Sequence, residues 1–256
     1  MSHRGRRGLF LVAAAGLAVL LVHGLAGLPG VGQFHGRYGL LLAHVAVPER
    51  QATDIVNSIT YDYRGVDTMG EEFILFASAI GLVIVLRQMH GERQDDDRDR
   101  DDASESPAAR ASQTSAALRM LGLALVGPVL VLGIYFASQG QLTPGGGFQG
   151  GVILAAALIL VYLAGRYRAM IRLRPIPVVE LAEGLGAAGY AAIGVGGLIA
   201  GARFLLNFIP QGSMGNLLSG GTIALLSAVV GLEVAGAFTL VFAEFMDQRR
   251  LTRRRP

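Results

Sequence analysis

The sequence predicts an all-α, polytopic membrane protein with about six transmembrane helices and with the N-terminus and C-terminus both cytoplasmic. Three observations carry that prediction. Hydrophobic residues make up 52% of the 256-residue chain and charged residues only 16%, a balance that does not suit a soluble domain. The apolar residues come in blocks close to the roughly 20 residues that cross a hydrocarbon core. These blocks are 9–28, 69–87, 118–138, 149–165, 184–206 and 219–245, and most of the 22 basic and 19 acidic residues lie outside them.

The basic residues set the orientation. All are Arg. Arg4, Arg6 and Arg7 precede the first block, Arg166, Arg168, Arg172 and Arg174 separate the fourth from the fifth, and Arg249, Arg250, Arg253, Arg254 and Arg255 follow the last. Six spans put all three clusters on one side, as the excess of Arg in cytoplasmic segments requires. Dropping any one span would break the agreement. The first block also ends near Gly24, Leu25 and Ala26, a small-x-small pattern open to signal peptidase, but it is longer than a signal core and is expected to be a retained helix.

A polar break divides the chain. Residues 91–116 begin GERQDDDRDRDDASESPAARASQTS, too polar to offset their chain entropy by burial, and are expected to be a disordered cytoplasmic linker. The expected organisation is therefore a two-helix membrane module at 1–90, the linker, and a four-helix membrane domain at 117–256. In the fifth block Gly197 and Gly201 form a GxxxG pair expected to serve helix packing, and Ala188, Ala192, Gly196 and Ala200 form a second small-residue stripe.

Acidic residues supply the candidates for chemistry. Thr68 and Glu71 have the spacing of a capping box, which accounts for both structurally. Glu72 is left over. The apolar run 73–86 is too short to cross alone, so a span must take in residues near Glu71, and an acidic pair there, beside Arg64 and Asp67, suits a cation or proton entrance. Glu233 is the clearer anomaly, since it stands near the middle of 219–245 between apolar neighbours. A carboxylate at that depth is costly and usually faces a protein interior or a water-filled cavity. One interhelical hydrogen bond from a neutral Glu233 is the plain alternative.

Other chemistries find no support in the sequence. There is no Cys, which excludes disulfides and thiolate metal sites. His23, His35 and His44 have no metal-ligand spacing, no catalytic triad or dinucleotide fingerprint is present, and neither a cofactor, a metal nor a nucleic acid partner is expected. The glycine-rich turn at Pro144, Gly145, Gly146 and Gly147 lacks the Lys and Ser/Thr of a phosphate loop and reads as a structural turn permitting close approach of another chain.

The stretch TPGGGFQGGVILAAAL at 143–158, with SGGT at 219–222 and GLEVAG at 231–236, resembles the B subunit of the multisubunit Mrp-type Na+/H+ antiporters, the MnhB-domain family, over about 117–248. The stretch VNSITYDYRGVDTMGEE at 56–72 is similar to the two-helix module at the C-terminal end of the A subunit, which is also the E-type subunit of membrane-bound hydrogenases. The resemblance implies a non-catalytic subunit in a bacterial inner membrane, partnered by other antiporter subunits and by lipid, in a complex that exchanges Na+ or another monovalent cation for H+. It draws attention to Asp67, Glu71, Glu233 and the turn at 144–147 without assigning their roles. A membrane-arm subunit of a hydrogenase or complex I-like enzyme, and a purely structural assembly subunit, are the alternatives.

Overall fold

The computed structural model describes residues 3–28, 36–86, 115–164 and 176–254. The expected linker and the Arg cluster at 166–174 lie outside the described residues except for 115–116, as does His35. Described elements are helical throughout: α1 (His3–Ala26), α2 (Arg37–Arg50), α3 (Ile55–Ser58), a π-helical turn (Ile59–Tyr63), α4 (Gly65–Leu86), α5 (Ala116–Ser138), α6 (Gly147–Leu163), α7 (Ile176–Gly201) and α8 (Thr222–Arg254). Four of these are long and apolar enough to cross a membrane: Gly65–Leu86, Ala116–Ser138, Pro177–Gly201 and Thr222–Phe245. Phe10–Ala26 and Gly147–Leu163 are shorter apolar helices. The protein is a polytopic, all-helical membrane protein.

Residues 1–42 and 43–256 form two compact units. The first contains α1, whose apolar side chains, including Phe10, Leu17 and Leu25, are exposed. The second contains everything from the middle of α2 onward. In it α8 is the central helix: 56% of its apolar span is buried, against 17% for α4 and α5 and 28% for α7. Its exposed ridge is Leu225, Leu232, Phe238 and Phe245, and most of the other side chains up to Glu244 are buried or half-buried.

Glycine sets the helix spacing, because lipid offers no hydrophobic force between apolar helices and close backbone approach must hold them instead. On α8, Gly231 faces Ala137 of α5. On α6, Gly147 faces Ser227 and Val230, and Gly151 faces Gly231 and Val234, so α6 and α8 run parallel. On α7, Gly186 faces Glu233 and Gly189 faces Val229, while Gly236 faces Glu183 back across the seam, so α7 and α8 run antiparallel. α4 packs against both α7 and α8.

Three boundaries differ from the sequence expectation. Residues 36–68, which lie between the apolar blocks 9–28 and 69–87, hold α2, α3, the π-helical turn and the start of α4. α4 begins at Gly65, so Thr68 is already inside the helix and donates its hydroxyl to the Thr60 carbonyl at 2.8 Å. The capping box of Thr68 and Glu71 is therefore corrected. α7 runs from Ile176 to Gly201 rather than from 184 to 206. After it the chain turns back through Ala202 and Leu205, both at positive φ, and the Leu205 amide donates to the Gly194 carbonyl. Gly197 and Gly201 make room for that return: a β-carbon on Gly197 would strike the backbone of 203–206, and one on Gly201 the Leu206 side chain. Their close contact is with the chain's own continuation and not with a second helix.

Candidate functional site

The loop end of the second unit is a hydrogen-bonded knot. Asp54 caps α3 by accepting from the amides of Val56 (2.8 Å) and Asn57 (3.4 Å). The Asn57 side-chain amide donates to Asp54 Oδ2 (2.7 Å) and to the carbonyls of Gly140 (2.6 Å) and Gly145 (2.8 Å). The expected turn at 144–147 is thus tied to the segment before α4. Gly145 and Gly146 sit at φ 132° and 135°, a conformation that side chains resist, and a β-carbon on Gly146 would strike Asn57 Oδ1. Burial pushes the Asp54 carboxyl above the ordinary carboxylate range, and the Val56 and Asn57 hydrogen bonds offset part of that.

Further contacts extend the knot. Thr53 donates to the Leu142 carbonyl (2.8 Å), and Gln141 donates to Leu217 O (2.9 Å). Asn207 accepts from the Thr222 amide at the start of α8 (2.8 Å) and donates to Asp62 Oδ2 (3.1 Å). Asp62 pairs with Arg50 Nε at 2.8 Å, and the Arg50 guanidinium lies over the Tyr63 ring. Arg50, Asp62, Arg203, Asn207 and Gln211 line a polar cavity of about 370 Å³ here. Arg203 belongs to this cavity.

Below the knot the polar groups change character. Glu233 is fully buried, and neither carboxyl oxygen has a hydrogen-bond partner among the described residues. It lies 11 residues past Thr222, about 16 Å along α8 at the α-helical rise. Gly186 lies directly on it: a β-carbon there would come within 2.5 Å of the Glu233 β-carbon. Glu72 of α4 is 3% exposed with Oε2 unpartnered, and Glu183 of α7 is 2% exposed with Oε1 unpartnered. Both act electrostatically on Glu233. Tyr190, fully buried, donates to the Gly65 carbonyl at 2.9 Å and closes the packing between α7 and the start of α4.

The sequence candidates therefore separate. Glu72 and Glu233 are both buried, on the helices α4 and α8 that pack against each other. Glu71 is exposed, and Arg64 and Asp67 form an exposed i,i+3 ion pair through Arg64 Nε and Asp67 Oδ2 at 2.7 Å. Glu183 lies outside the fifth block as hydropathy draws it, so sequence reasoning passes over it. A signal is nevertheless present: Glu183-x-x-Gly186 and Glu233-x-x-Gly236 repeat one motif on the two helices that pack together. No group of three or more His, Cys, Asp or Glu among the described residues is arranged to hold a metal ion.

With this geometry in place, residues 117–240 match the family described as a domain related to the MnhB subunit of the Na+/H+ antiporter. Residues 117–240 belong to the MnhB-related domain family. The matched range thus takes in α5, α6, α7 and the first part of α8, with Glu183 and Glu233, while Glu72 lies before it. Over 250 residues the chain is 28% identical to an uncharacterised protein of Methanocaldococcus jannaschii, covering 91% of this chain and 88% of that one. It is 29% identical over 215 residues to a probable K+/H+ antiporter A/B subunit of Rhizobium meliloti, covering 77% of this chain but only 20% of that one. Among solved structures it is similar to a chain of the membrane-bound sulfane sulfur reductase, an archaeal respiratory membrane complex, at 28% identity and TM-score 0.68, covering 94% of this chain and 97% of that one. A chain of the Mrp complex from a Dietzia species shares the fold at TM-score 0.69 and 22% identity, with 95% of this chain matching 26% of that one.

Proposed function

We propose that the chain is a membrane subunit of a cation/proton antiporter-like complex, in which Glu233 takes part in proton movement. The observation that carries this reading is the sealed, unpartnered carboxyl of Glu233. An evolved structural carboxyl in a membrane interior is expected to have its hydrogen bonds made, because an unmade one costs about 1–3 kcal/mol. A proton-exchanging carboxyl must instead be free to change partners.

Support comes from three sides. The family of residues 117–240 is defined by an antiporter subunit. The Rhizobium relative is a probable K+/H+ antiporter subunit, so the exchanged cation need not be Na+. Exposed apolar side chains along α4 and α5, among them Ile74, Ile84, Val131 and Ile134, suit lipid and neighbouring subunits. We read the chain as non-catalytic, with six spans, cytoplasmic termini and a place in the cytoplasmic membrane. We also read residues 1–90 as a module of the kind that ends the A subunit.

The match to nearly the whole of a respiratory-complex chain favours a second reading, a membrane-arm subunit of a redox complex. Mild-detergent purification of the tagged chain distinguishes the two: antiporter-like subunits alone support the first, and iron–sulfur subunits in the same preparation support the second. For Glu233 itself the test is Glu233→Gln in the intact complex. Cation-dependent proton flux should be lost with assembly unchanged, and undiminished flux would remove Glu233 from the path.

A further inference from the structure

Glu233 is not the only buried carboxyl on the contact between α7 and α8: Glu183 is 2% exposed with Oε1 unpartnered. α7 and α8 cross in a reciprocal arrangement in which Gly186 lies on Glu233 and Gly236 lies on Glu183. Each glycine, by having no side chain, lets the opposing glutamate's backbone come close enough to bury its carboxyl in the seam. Glu183 and Gly186 are three residues apart, so the two glutamates are offset by about 4.5 Å along the helix axes. That axial offset is within the combined reach of two glutamate side chains.

The carboxyls continue in both directions. Glu72 acts electrostatically on Glu233, as does Glu183. Glu180, one helical turn before Glu183 and exposed, acts on Glu183, and exposed Glu71 acts on buried Glu72. Glu71 is exposed and Glu72 buried on α4, Glu233 is buried on α8, and on α7 Glu183 is buried and Glu180 exposed.

We propose that Glu183 is the station that receives the proton from Glu233 and delivers it to Glu180, and that this seam carries protons and not metal cations. This rests on the antiporter reading above. In each transfer an O–H bond on one carboxyl breaks and an O–H bond on the next forms, so the number of charged carboxyls in the row stays constant. Protons fit the contacts of this seam: Val229 faces Gly189, and Gly186 and Gly236 have no side chain, so these positions give no neutral oxygen ligand, and the backbone carbonyls here are inside helices. A monovalent cation needs several oxygens to replace its hydration shell.

Two measurements on the intact complex test this. Glu183→Gln should lower cation-dependent proton flux by about tenfold or more, as loss of a proton-transfer group does, with co-purifying subunits unchanged. In the unmodified complex, dicyclohexylcarbodiimide, which reacts with protonated carboxyls in apolar surroundings, should label both Glu183 and Glu233 at a rate that Na+ or K+ does not alter at fixed pH. Full flux in Glu183→Gln alongside lost flux in Glu233→Gln would overturn the role of Glu183 and leave the antiporter reading standing. Full flux in both would overturn the reading itself. If Glu183→Gln prevents assembly, the labelling decides: Glu183 unlabelled beside labelled Glu233, or labelling blocked by either cation, overturns the proposal.

Discussion

The loop-end knot and the carboxyl seam are both buried and both polar, yet they differ in how far their polar groups are paired: the knot ties most of its groups and leaves Gln141 Oε1 without a partner, whereas the seam leaves both oxygens of Glu233 so. In the knot, the Asn57 side-chain amide makes three hydrogen bonds, and Asn207 uses both ends of its side chain. In the seam, Glu72, Glu183 and Glu233 each leave at least one buried oxygen without a partner. A saturated polar group fixes geometry, and each bond it gives up exposes the full desolvation cost. An unsaturated one contributes little to stability and stays available for exchange. The knot ties the loop ends of the helices together, and on the reading proposed above the seam uses the register that this sets.

This contrast can be broken or sharpened by substitution. The largest loss of stability is expected from Gly147→Ala, where the new β-carbon would meet the Ser227 carbonyl and Val230 in the tightest helix contact around α8. Overpacking of this kind costs about 1–3 kcal/mol or more, and here backbone blocks relief, so the thermal midpoint in detergent should fall sharply or the complex should fail to assemble. Asn57→Ala comes next. It strips donors from the Gly140 and Gly145 carbonyls, at about 1–3 kcal/mol for each buried group left unmade, and flux should fall only as far as the amount of assembled complex falls.

Glu233→Gln should behave in the reverse manner, with a thermal midpoint close to that of the parent and flux abolished. If it instead unfolds the protein as Asn57→Ala does, the seam is structural and the contrast fails. The smallest effect is expected from Asp67→Asn, which breaks only the exposed pair with Arg64. Such pairs are worth about 0–1 kcal/mol, and a flux defect as large as that of Glu233→Gln would return the entrance role to Asp67.

Much of the site was legible in the sequence, and particular residues show why the rest was not. Glu233 stood out because an isolated charge in a long apolar block is costly wherever the helix faces. Glu72 was noticed only as the acid that the capping box left over, and its helix in fact starts four residues earlier than the apolar block suggested. Glu183 was lost because hydropathy places span ends at the last charge, whereas a helix can carry a charge inward if a neighbouring glycine gives it room. Asn57 gave no signal at all, since two of its three partners lie more than eighty residues away.

The sequence by itself determined that the chain is helical, lies in a membrane and carries an MnhB-like half, because length and polarity of each segment suffice for the first two and a run of glycines at fixed spacing for the third. Only the tertiary structure decided which acids share an interior, which glycines separate helices and which merely fold the chain back, as at Gly197 and Gly201. Those outcomes depend on helix rotation and register. In a bilayer, apolar residues on every face satisfy the solvent equally, so hydropathy carries no record of which face turns inward.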